Sequence, residues 1–381
     1  MILSEGQINA IVDRVVRQLS PELRQVPQAP VLPPAEPAAD EPIRPPAPAR
    51  TSTSGVLDGV FDDLEAAIGA AVQSFERWSS VPLEGRARAI EAMREATRKY
   101  SEELSRLAVE ETGLGNVKDK IAKNVLCANK TPGIEILRPQ AFTGDHGMTL
   151  DERAPFGVIG AITPSTNPTE TIINNAIGMV AAGNSVVFNV HPAAKRVSAR
   201  HIRLMNQAIA AAGGPANLVV GLAEPTIESA QALMKHRDVR LVVVTGGPAV
   251  VRAAMSSGKR AIAAGPGNPP VVVDETAHLE QAARDIVDGA SLDNNIVCIV
   301  EKEVFAVASI ADRLKRLLSQ NGAVEVIGAA INRLEKLVVQ EGHPARDWIG
   351  KDATKIAQAA GIRAPAETRL LFAEVDATHP F

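Results

Sequence analysis

The chain has 381 residues, of which 45% are hydrophobic, 22% are charged and 3% are aromatic, and its formal net charge is −4. This length allows two domains with separate cores. The nearly balanced charge and the few aromatic residues argue against nucleic-acid binding. Two cysteines cannot form a disulfide framework, the N-terminus lacks a secretory signal, and no apolar run reaches the roughly 18 residues that span a bilayer. We therefore expect a soluble, cytoplasmic protein that binds neither nucleic acid nor membrane, and no metal site is predicted.

The first 19 residues carry an amphipathic pattern, followed by a proline-rich stretch. Apolar side chains recur at three- and four-residue steps, which predicts a helix with one apolar stripe over residues 1–19. Residues 20–55 are predicted to be a linker, because the ten prolines of residues 21–50 disfavour both helix and sheet. The apolar stripe is expected to dock on a partner, or alternatively to pack back on its own domain.

From about Val56 the sequence has the pattern of a globular domain. Residues 64–100 and 101–111 are predicted to be helical, and residues 148–153 a strand of a hairpin. Strands and helices then alternate, which predicts a parallel, doubly wound α/β sheet. Its predicted strands are 156–162, 184–190, 217–221 and 239–244, and its predicted helices are 168–182, 197–212 and 227–236. A second set of elements is predicted at 271–273, 304–308, 309–319 and 370–373.

Cys298 follows a predicted turn that contains two asparagines, Asn294 and Asn295. A thiol at the tip of a loop is better placed to attack a substrate than one inside a strand. The alternative is that Cys298 is a small buried apolar residue, as lone cysteines often are. Cys127 lies in the middle of a predicted helix with no turn beside it, so we interpret it as structural.

Residues 163–168 read Thr-Pro-Ser-Thr-Asn-Pro and follow a predicted strand. Ligands of open α/β sheets collect at the carboxyl ends of strands, and the Asn167 amide can donate to an oxyanion there. The alternative is that Thr166 or Asn167 caps the helix that begins at Pro168.

Thr245-Gly246-Gly247 follows another predicted strand. Glycines at such a place let a phosphate or a cofactor approach the backbone closely. The alternative is an ordinary turn, because the pattern is not GxGxxG.

Taken together and in this order, six segments resemble the aldehyde dehydrogenase superfamily over about residues 56–381. They are 164–167, 191–193, 221–225, 245–247, 264–270 and Cys298. Segments 186–195, 293–305 and 376–381 are similar to the CoA-acylating branch of bacterial microcompartments, such as propionaldehyde and acetaldehyde dehydrogenases. Residues 1–50 resemble the encapsulation peptides that carry such enzymes into protein shells.

The resemblance implies two doubly wound parallel-sheet domains, a cofactor-binding domain over residues 56–263 and a catalytic domain over residues 264–381. Because the family's chain continues past the equivalent of Phe381, the second domain is expected to be incomplete. A homo-oligomer is expected if the protein is full length.

The resemblance also implies roles for individual residues. Cys298 is the expected nucleophile, and the Asn167 amide and the backbone N–H of Cys298 are the expected oxyanion donors. NAD or NADP is the expected cofactor, and CoA is the expected second substrate. The residues expected to contact the cofactor are Thr163, Pro164, Ser165, His191, Pro192, Gly221, Pro225, Thr245, Gly246 and Gly247. His191 stands where many relatives have a cofactor-contacting lysine; the alternative is a surface histidine at the end of a strand.

Ala264 occupies the position at which hydrolytic relatives carry a general-base glutamate. Without such a base water is a poor nucleophile toward a thioester, whereas the thiol of CoA is intrinsically a good one. The resemblance thus predicts oxidation of a short aldehyde to an acyl-CoA. The alternatives are a truncated, inactive cargo protein that binds shell or enzyme partners through residues 2–19, and a hydrolytic aldehyde dehydrogenase. The expected location is inside a bacterial microcompartment, with a shell protein as partner.

Overall fold

The computed structural model describes residues 58–381. The predicted helix 1–19 and linker 20–55 lie outside these residues. No helix of the described part is both long and apolar enough to cross a membrane.

The described helices and strands alternate along most of the chain. The helices are α1 (Leu64–Trp78), α2 (Leu83–Lys99), α3 (Ser101–Thr112), α4 (Val117–Lys130), α5 (Pro168–Ala181), α6 (Lys195–Ala211), α7 (Ile227–Lys235), α8 (Pro248–Met255), α9 (Leu279–Ser291), α10 (Ala308–Gln320), α11 (Ala329–Val338) and α12 (Ala353–Ala359). The strands are β1 (Val60–Phe61), β2 (Gln140–Gly144), β3 (Gly147–Asp151), β4 (Val158–Ile162), β5 (Ser185–Asn189), β6 (Val219–Leu222), β7 (Val239–Thr245), β8 (Arg260–Ala264), β9 (Pro270–Val273), β10 (Glu303–Ala306), β11 (Ala323–Glu325), β12 (Val339–Gln340), β13 (His343–Pro344) and β14 (Leu370–Phe372).

Six strands form one parallel sheet in the order β1-β6-β5-β4-β7-β8. Every residue of β4 and β5 is buried, and apolar clusters cover both faces of the sheet. The predicted parallel, doubly wound α/β architecture is therefore confirmed. Successive strands run outward from β4 through β5 to β6, and β7 then returns to the other side of β4. This change of direction between β4 and β7 opens a crevice at their carboxyl ends, where ligands of such sheets bind.

The helical stretch predicted over residues 64–100 is interrupted at residues 79–82. α1 ends at Trp78, and α2 starts after Pro82, whose backbone is extended (φ −60°, ψ 158°). Proline lacks an N–H group and disfavours helical geometry at the preceding residue, so it stops one helix and starts another. The Trp78 indole N–H, buried at the end of α1, donates to the Val180 carbonyl at 2.9 Å, which anchors α1 to α5.

The second set of elements forms two separate parallel ladders, β9 with β10 and β11 with β14. One apolar cluster, shared by α9 and α10, covers a single face of both ladders. On the other face, Val272 is 77% exposed and Phe305 57% exposed. These four strands of the predicted second domain therefore pair in parallel, whereas β12 and β13 pair in an antiparallel hairpin. In the described residues these strands do not join into one doubly wound sheet. The predicted hairpin strand at 148–153 is confirmed, since β3 pairs with β2 in an antiparallel hairpin.

Candidate active site

A cleft of about 1910 Å³ lies at the carboxyl ends of β4 and β7. Residues from four predicted segments line it together: Thr163, Pro164, Ser165, Thr166 and Asn167 after β4, His191 and Pro192 after β5, Thr245, Gly246 and Gly247 after β7, and Cys298. Parallel strands bring the first three segments to one edge of the sheet although they are far apart in sequence, and the loop that follows α9 places Cys298 in the same cleft. The structure thus brings both predicted chemical residues, Cys298 and Asn167, into one cleft.

The turn before Cys298 has an uncommon backbone. Three consecutive residues, Asp293, Asn294 and Asn295, have left-handed φ values of 48°, 56° and 63°. Aspartate and asparagine tolerate this region better than other residues with a side chain, so the predicted turn is confirmed. The Asn294 amide donates to the Gly350 carbonyl and to Asp352, and the Asn295 amide donates to the carbonyls of Ala290 and Glu301. These bonds hold the turn in its strained conformation.

Asp293 anchors this turn inside the protein. Its carboxylate is fully buried and accepts from Lys120 at 3.0 Å and from Lys123 at 2.6 Å, both at Oδ2. Its Oδ1 accepts from the Asn116 backbone N–H at 2.8 Å. Lys123 also lies 3.2 Å from a carboxylate oxygen of Glu170. Two buried cations thus face two buried anions, which is the pairing that burial of charge requires.

Replacing Asp293 with asparagine is expected to lower the free energy of unfolding by about 3–5 kcal/mol, because it removes one partner of a buried ion pair. The shift of the urea unfolding midpoint measures the change. Asp288→Asn is the control, since the Asp288 pair with Arg369 is about half exposed and its loss should cost less than about 1 kcal/mol. Equal shifts in the two variants would contradict the anchoring role of Asp293.

Cys298 is half-buried. The backbone before it and its own carbonyl group are in contact with neighbouring residues. The Lys302 ammonium donates to the backbone carbonyls of Asn295 and Val297 at 3.0 and 3.1 Å, which braces the residues before the thiol. Burial lowers the pKa of Lys302, while the nearby Cys298 and Glu301 act in the opposite direction. Gly267 packs so closely on the Cys298 carbonyl that a Cβ at this position would collide with it. The loop before β9 and the cysteine loop therefore fit together only with glycine at position 267.

Cys127 has a different environment. It lies near the end of α4 and packs on the main apolar cluster. Burial, together with the Glu170 carboxylate, raises the pKa of the Cys127 thiol to about 11. A thiol with so high a pKa is mostly protonated near neutral pH and hence a weak nucleophile. These features favour the structural interpretation of Cys127.

Asn167 begins α5 with Pro168 at the first helical position, but its side chain makes no capping bond. Its Oδ1 instead accepts from the Lys123 ammonium at 2.6 Å, and its Nδ2 donates to the Thr166 hydroxyl at 3.2 Å. Asn167 is thus the N-cap residue before Pro168, as the alternative predicts, but its side chain does not cap the helix. One hydrogen of the Asn167 amide has no partner in these bonds and can donate to a ligand in the cleft.

The residues after β4 and β7 fit a dinucleotide. The Thr163 side chain is 3% exposed, and its hydroxyl has no hydrogen-bond partner among the described residues. A Cβ at Gly247 would meet no atom within 4 Å, so the backbone there faces open space. A buried hydroxyl in need of a partner and an open glycine backbone are features that a ribose or phosphate group can use.

The other predicted cofactor residues divide into two groups. His191 lines the cleft, and its Nδ1 accepts from the Ala193 backbone N–H at 3.1 Å. Gly221 and Pro225 do not belong to the cleft lining. Gly221 lies inside the sheet, where a Cβ would meet the Ile202 side chain at 2.6 Å and the Phe188 carbonyl at 3.3 Å. Gly221 is therefore needed for close packing of the sheet, and the assignment of Gly221 and Pro225 to the cofactor site stays a prediction.

Sequence reasoning missed the buried lysines Lys120 and Lys123. A signal existed, since Lys120, Lys123 and Asn124 share one face of α4 with Ala128, and this face is buried. Lysines at such spacing usually belong to a solvated helix face, so the pattern alone favours the wrong interpretation.

Comparisons with known proteins support a common origin. The sequence model of the aldehyde dehydrogenase family matches residues 39–333. Acetaldehyde dehydrogenase (acetylating) EutE of Salmonella typhimurium is 54% identical over 330 residues, which are 85% of this chain and 70% of the relative. Among solved structures, Rhodopseudomonas palustris propionaldehyde dehydrogenase with bound CoA and an acylated cysteine has a sequence 50% identical to this chain. The structural match has a TM-score of 0.82 and covers 85% of this chain and 74% of the other. A propionaldehyde dehydrogenase from the Clostridium phytofermentans fucose utilisation bacterial microcompartment is 46% identical, with a TM-score of 0.82 over 84% of this chain and 74% of the other.

Proposed function

Because this chain belongs to the aldehyde dehydrogenase family, we propose that it oxidises a short-chain aldehyde to an acyl-CoA, with NAD or NADP as hydride acceptor. The observation that carries this proposal is the meeting of Cys298, Asn167 and the Thr245-Gly246-Gly247 turn in one cleft. A nucleophile, an oxyanion donor and an open backbone for a dinucleotide are the three parts that the reaction needs.

The reaction starts with attack of the Cys298 thiolate on the carbonyl carbon of the aldehyde. The Asn167 N–H and the Cys298 backbone N–H donate to the oxygen that becomes negative. A dinucleotide held by the residues after β4 and β7 would supply the acceptor for the hydride that leaves the substrate carbon. Cys298 then holds the acyl group as a thioester. CoA loses its thiol proton to solvent and attacks the thioester as a thiolate; the new carbon–sulfur bond forms, the bond to Cys298 breaks, and acyl-CoA and the Cys298 thiolate are released.

Thr163, Pro164, Ser165, His191, Pro192, Thr245, Gly246 and Gly247 are proposed to hold the dinucleotide. The domain division proposed here lies before Ala264, the last residue of β8: residues 56–263 carry the cofactor site, and residues 264–381 carry the cysteine loop. The proposed homo-oligomer is tested by the mass of the protein in solution.

Transfer to CoA rather than to water is expected because Ala264, at the end of β8, carries no group that can deprotonate water. With propanal and NAD, omission of CoA should lower steady-state NADH formation by about 100-fold or more. Without CoA the thioester must be hydrolysed, and this step lacks the rate enhancement of about 10²–10⁴-fold that a general base provides. NADH absorbance and chromatography of propionyl-CoA and propionate measure this. Stoichiometric propionate without CoA would instead identify a hydrolytic dehydrogenase.

Residues 2–19 are proposed to bind a microcompartment shell protein as an amphipathic helix, which would place the enzyme inside the compartment. A fluorescent protein fused to residues 1–50 should form puncta in shell-producing cells. The same fusion with Ile11→Asp and Val15→Asp, which place charges on the apolar stripe, should remain diffuse. Diffuse signal from both fusions would remove the targeting role.

A further inference from the structure

The Lys123 ammonium donates hydrogen bonds to two side chains and forms an ion pair with a third. It lies 2.6 Å from Asn167 Oδ1, 2.6 Å from Asp293 Oδ2 and 3.2 Å from Glu170 Oε1. An ammonium group has three N–H donors and no acceptor. Burial acts to lower the pKa of Lys123, but the Glu170 and Asp293 carboxylates outweigh it, and the pKa is raised. Lys123 is therefore a charged, immobilised donor.

This contact fixes which way the Asn167 amide faces. Since an ammonium cannot accept a hydrogen bond, only the carbonyl end of the amide can lie against Lys123. The NH₂ end must then face the opposite way, where one of its two hydrogens is bonded to the Thr166 hydroxyl at 3.2 Å. The other hydrogen remains available to a ligand in the cleft. A reversed amide would present its oxygen to a developing oxyanion and repel it.

The same ammonium reaches the cysteine loop through Asp293, which opens the left-handed turn that leads to Cys298. One cation thus joins the helix that begins at Asn167 to the turn that carries the nucleophile. We propose that Lys123 is a positioning residue that orients the Asn167 amide and holds it in register with the Cys298 loop. This inference rests on the proposed function, because it gives Asn167 its role as oxyanion donor.

Lys120 offers a matched comparison within the same cluster. It is also buried and also donates to Asp293 Oδ2, at 3.0 Å, but its other bond is to the Thr166 backbone carbonyl at 3.1 Å. Among the described residues, Lys120 makes no hydrogen bond to Asn167. Removal of Lys120 or of Lys123 therefore takes one cation from Asp293, but only the second change frees the Asn167 amide to turn.

The experiment is a double-mutant cycle that pairs Lys123→Met with Asn167→Ala, and a second cycle that pairs Lys120→Met with Asn167→Ala. The readout is the protection that propanal gives Cys298 against iodoacetamide without NAD or CoA, quantified by mass spectrometry of the Cys298 peptide. Lys123→Met should weaken the protection by about 10- to 100-fold, as misplacement of a catalytic group does. It should cause no further loss in the Asn167→Ala background, since coupled residues are not additive. The effect of Lys120→Met should multiply with that of Asn167→Ala.

Each outcome decides the inference. The inference is overturned if propanal protects Cys298 in Lys123→Met as well as in the wild type. It is also overturned if the loss in Lys123→Met multiplies with the loss in Asn167→Ala, or if propanal does not protect Cys298 in the wild-type protein. A wild-type protein that shows protection but makes no propionyl-CoA overturns the proposed function alone. If Lys123→Met does not fold, as judged by its melting curve, the cycle uses Lys123→Met with Glu170→Gln, which removes one charge of each sign from the buried cluster.

Discussion

Replacing Cys298 with alanine is expected to lower NADH formation from propanal and CoA by about 10⁴-fold or more, because loss of a covalent nucleophile removes the whole reaction path. Cys298 lines the cleft on a loop that a buried ion cluster and the Lys302 ammonium hold in place. Lys302 donates to the backbone carbonyls of Asn295 and Val297 and not to the thiol, so the fold and dinucleotide binding should persist. Initial rates, with dinucleotide binding followed by fluorescence, measure both quantities.

Cys127→Ala is the matched control for Cys298→Ala. Cys127 packs on the apolar cluster away from the cleft lining, so its truncation should change the rate by less than about threefold and cost about 1 kcal/mol of stability. Activity that survives in Cys298→Ala but disappears in Cys127→Ala would reverse the assignment of the nucleophile.

Replacing Asn167 with alanine is expected to lower kcat by about 10²–10³-fold, the usual cost of one oxyanion donor. The KM for the aldehyde should change little, because the bond to the oxygen strengthens only as charge develops. Steady-state kinetics with propanal as the varied substrate separate the two parameters.

Asn174→Ala provides the control in the same helix, α5. The Asn174 amide donates to the Thr131 hydroxyl at 3.0 Å and does not line the cleft. Its removal should leave kcat within about threefold of the wild-type value, as is usual for a site remote from the chemistry. A higher KM with unchanged kcat in Asn167→Ala would show that this amide binds the aldehyde and does not stabilise the transition state.

Local patterns were sufficient to predict the parallel sheet. The strands after residue 156 are short apolar runs that alternate with amphipathic helices, and both features depend on neighbouring residues. The break at Pro82 between α1 and α2 was missed because the amphipathic pattern continues on both sides of it. The pairing of the second set of strands depends on which strands meet in space, and no local pattern encodes that.

The candidate site was predictable where its chemistry is local. The Asn294-Asn295 turn before Cys298 and the polar segment after β4 stand out in the sequence, and in the structure both line one cleft. The sequence around Gly221 does not separate two uses of a glycine, because glycine permits close packing as readily as it permits ligand approach. Only the contacts with Ile202 and Phe188 distinguish the two uses.

The buried charges were beyond sequence reasoning for a physical reason. Lys120 and Lys123 are tolerated inside the protein because Asp293 and Glu170, distant in sequence, neutralise them. A lysine is expected at the surface unless its partner is known, and the partner is set by the tertiary fold.

The measurement that tests the central claim most directly is mass spectrometry of the protein after reaction with propanal and NAD in the absence of CoA. The account predicts one propionyl group on the peptide that contains Cys298, and its loss together with formation of propionyl-CoA when CoA is added. An unmodified Cys298 peptide, or a propionyl group carried by Cys127, would contradict the account.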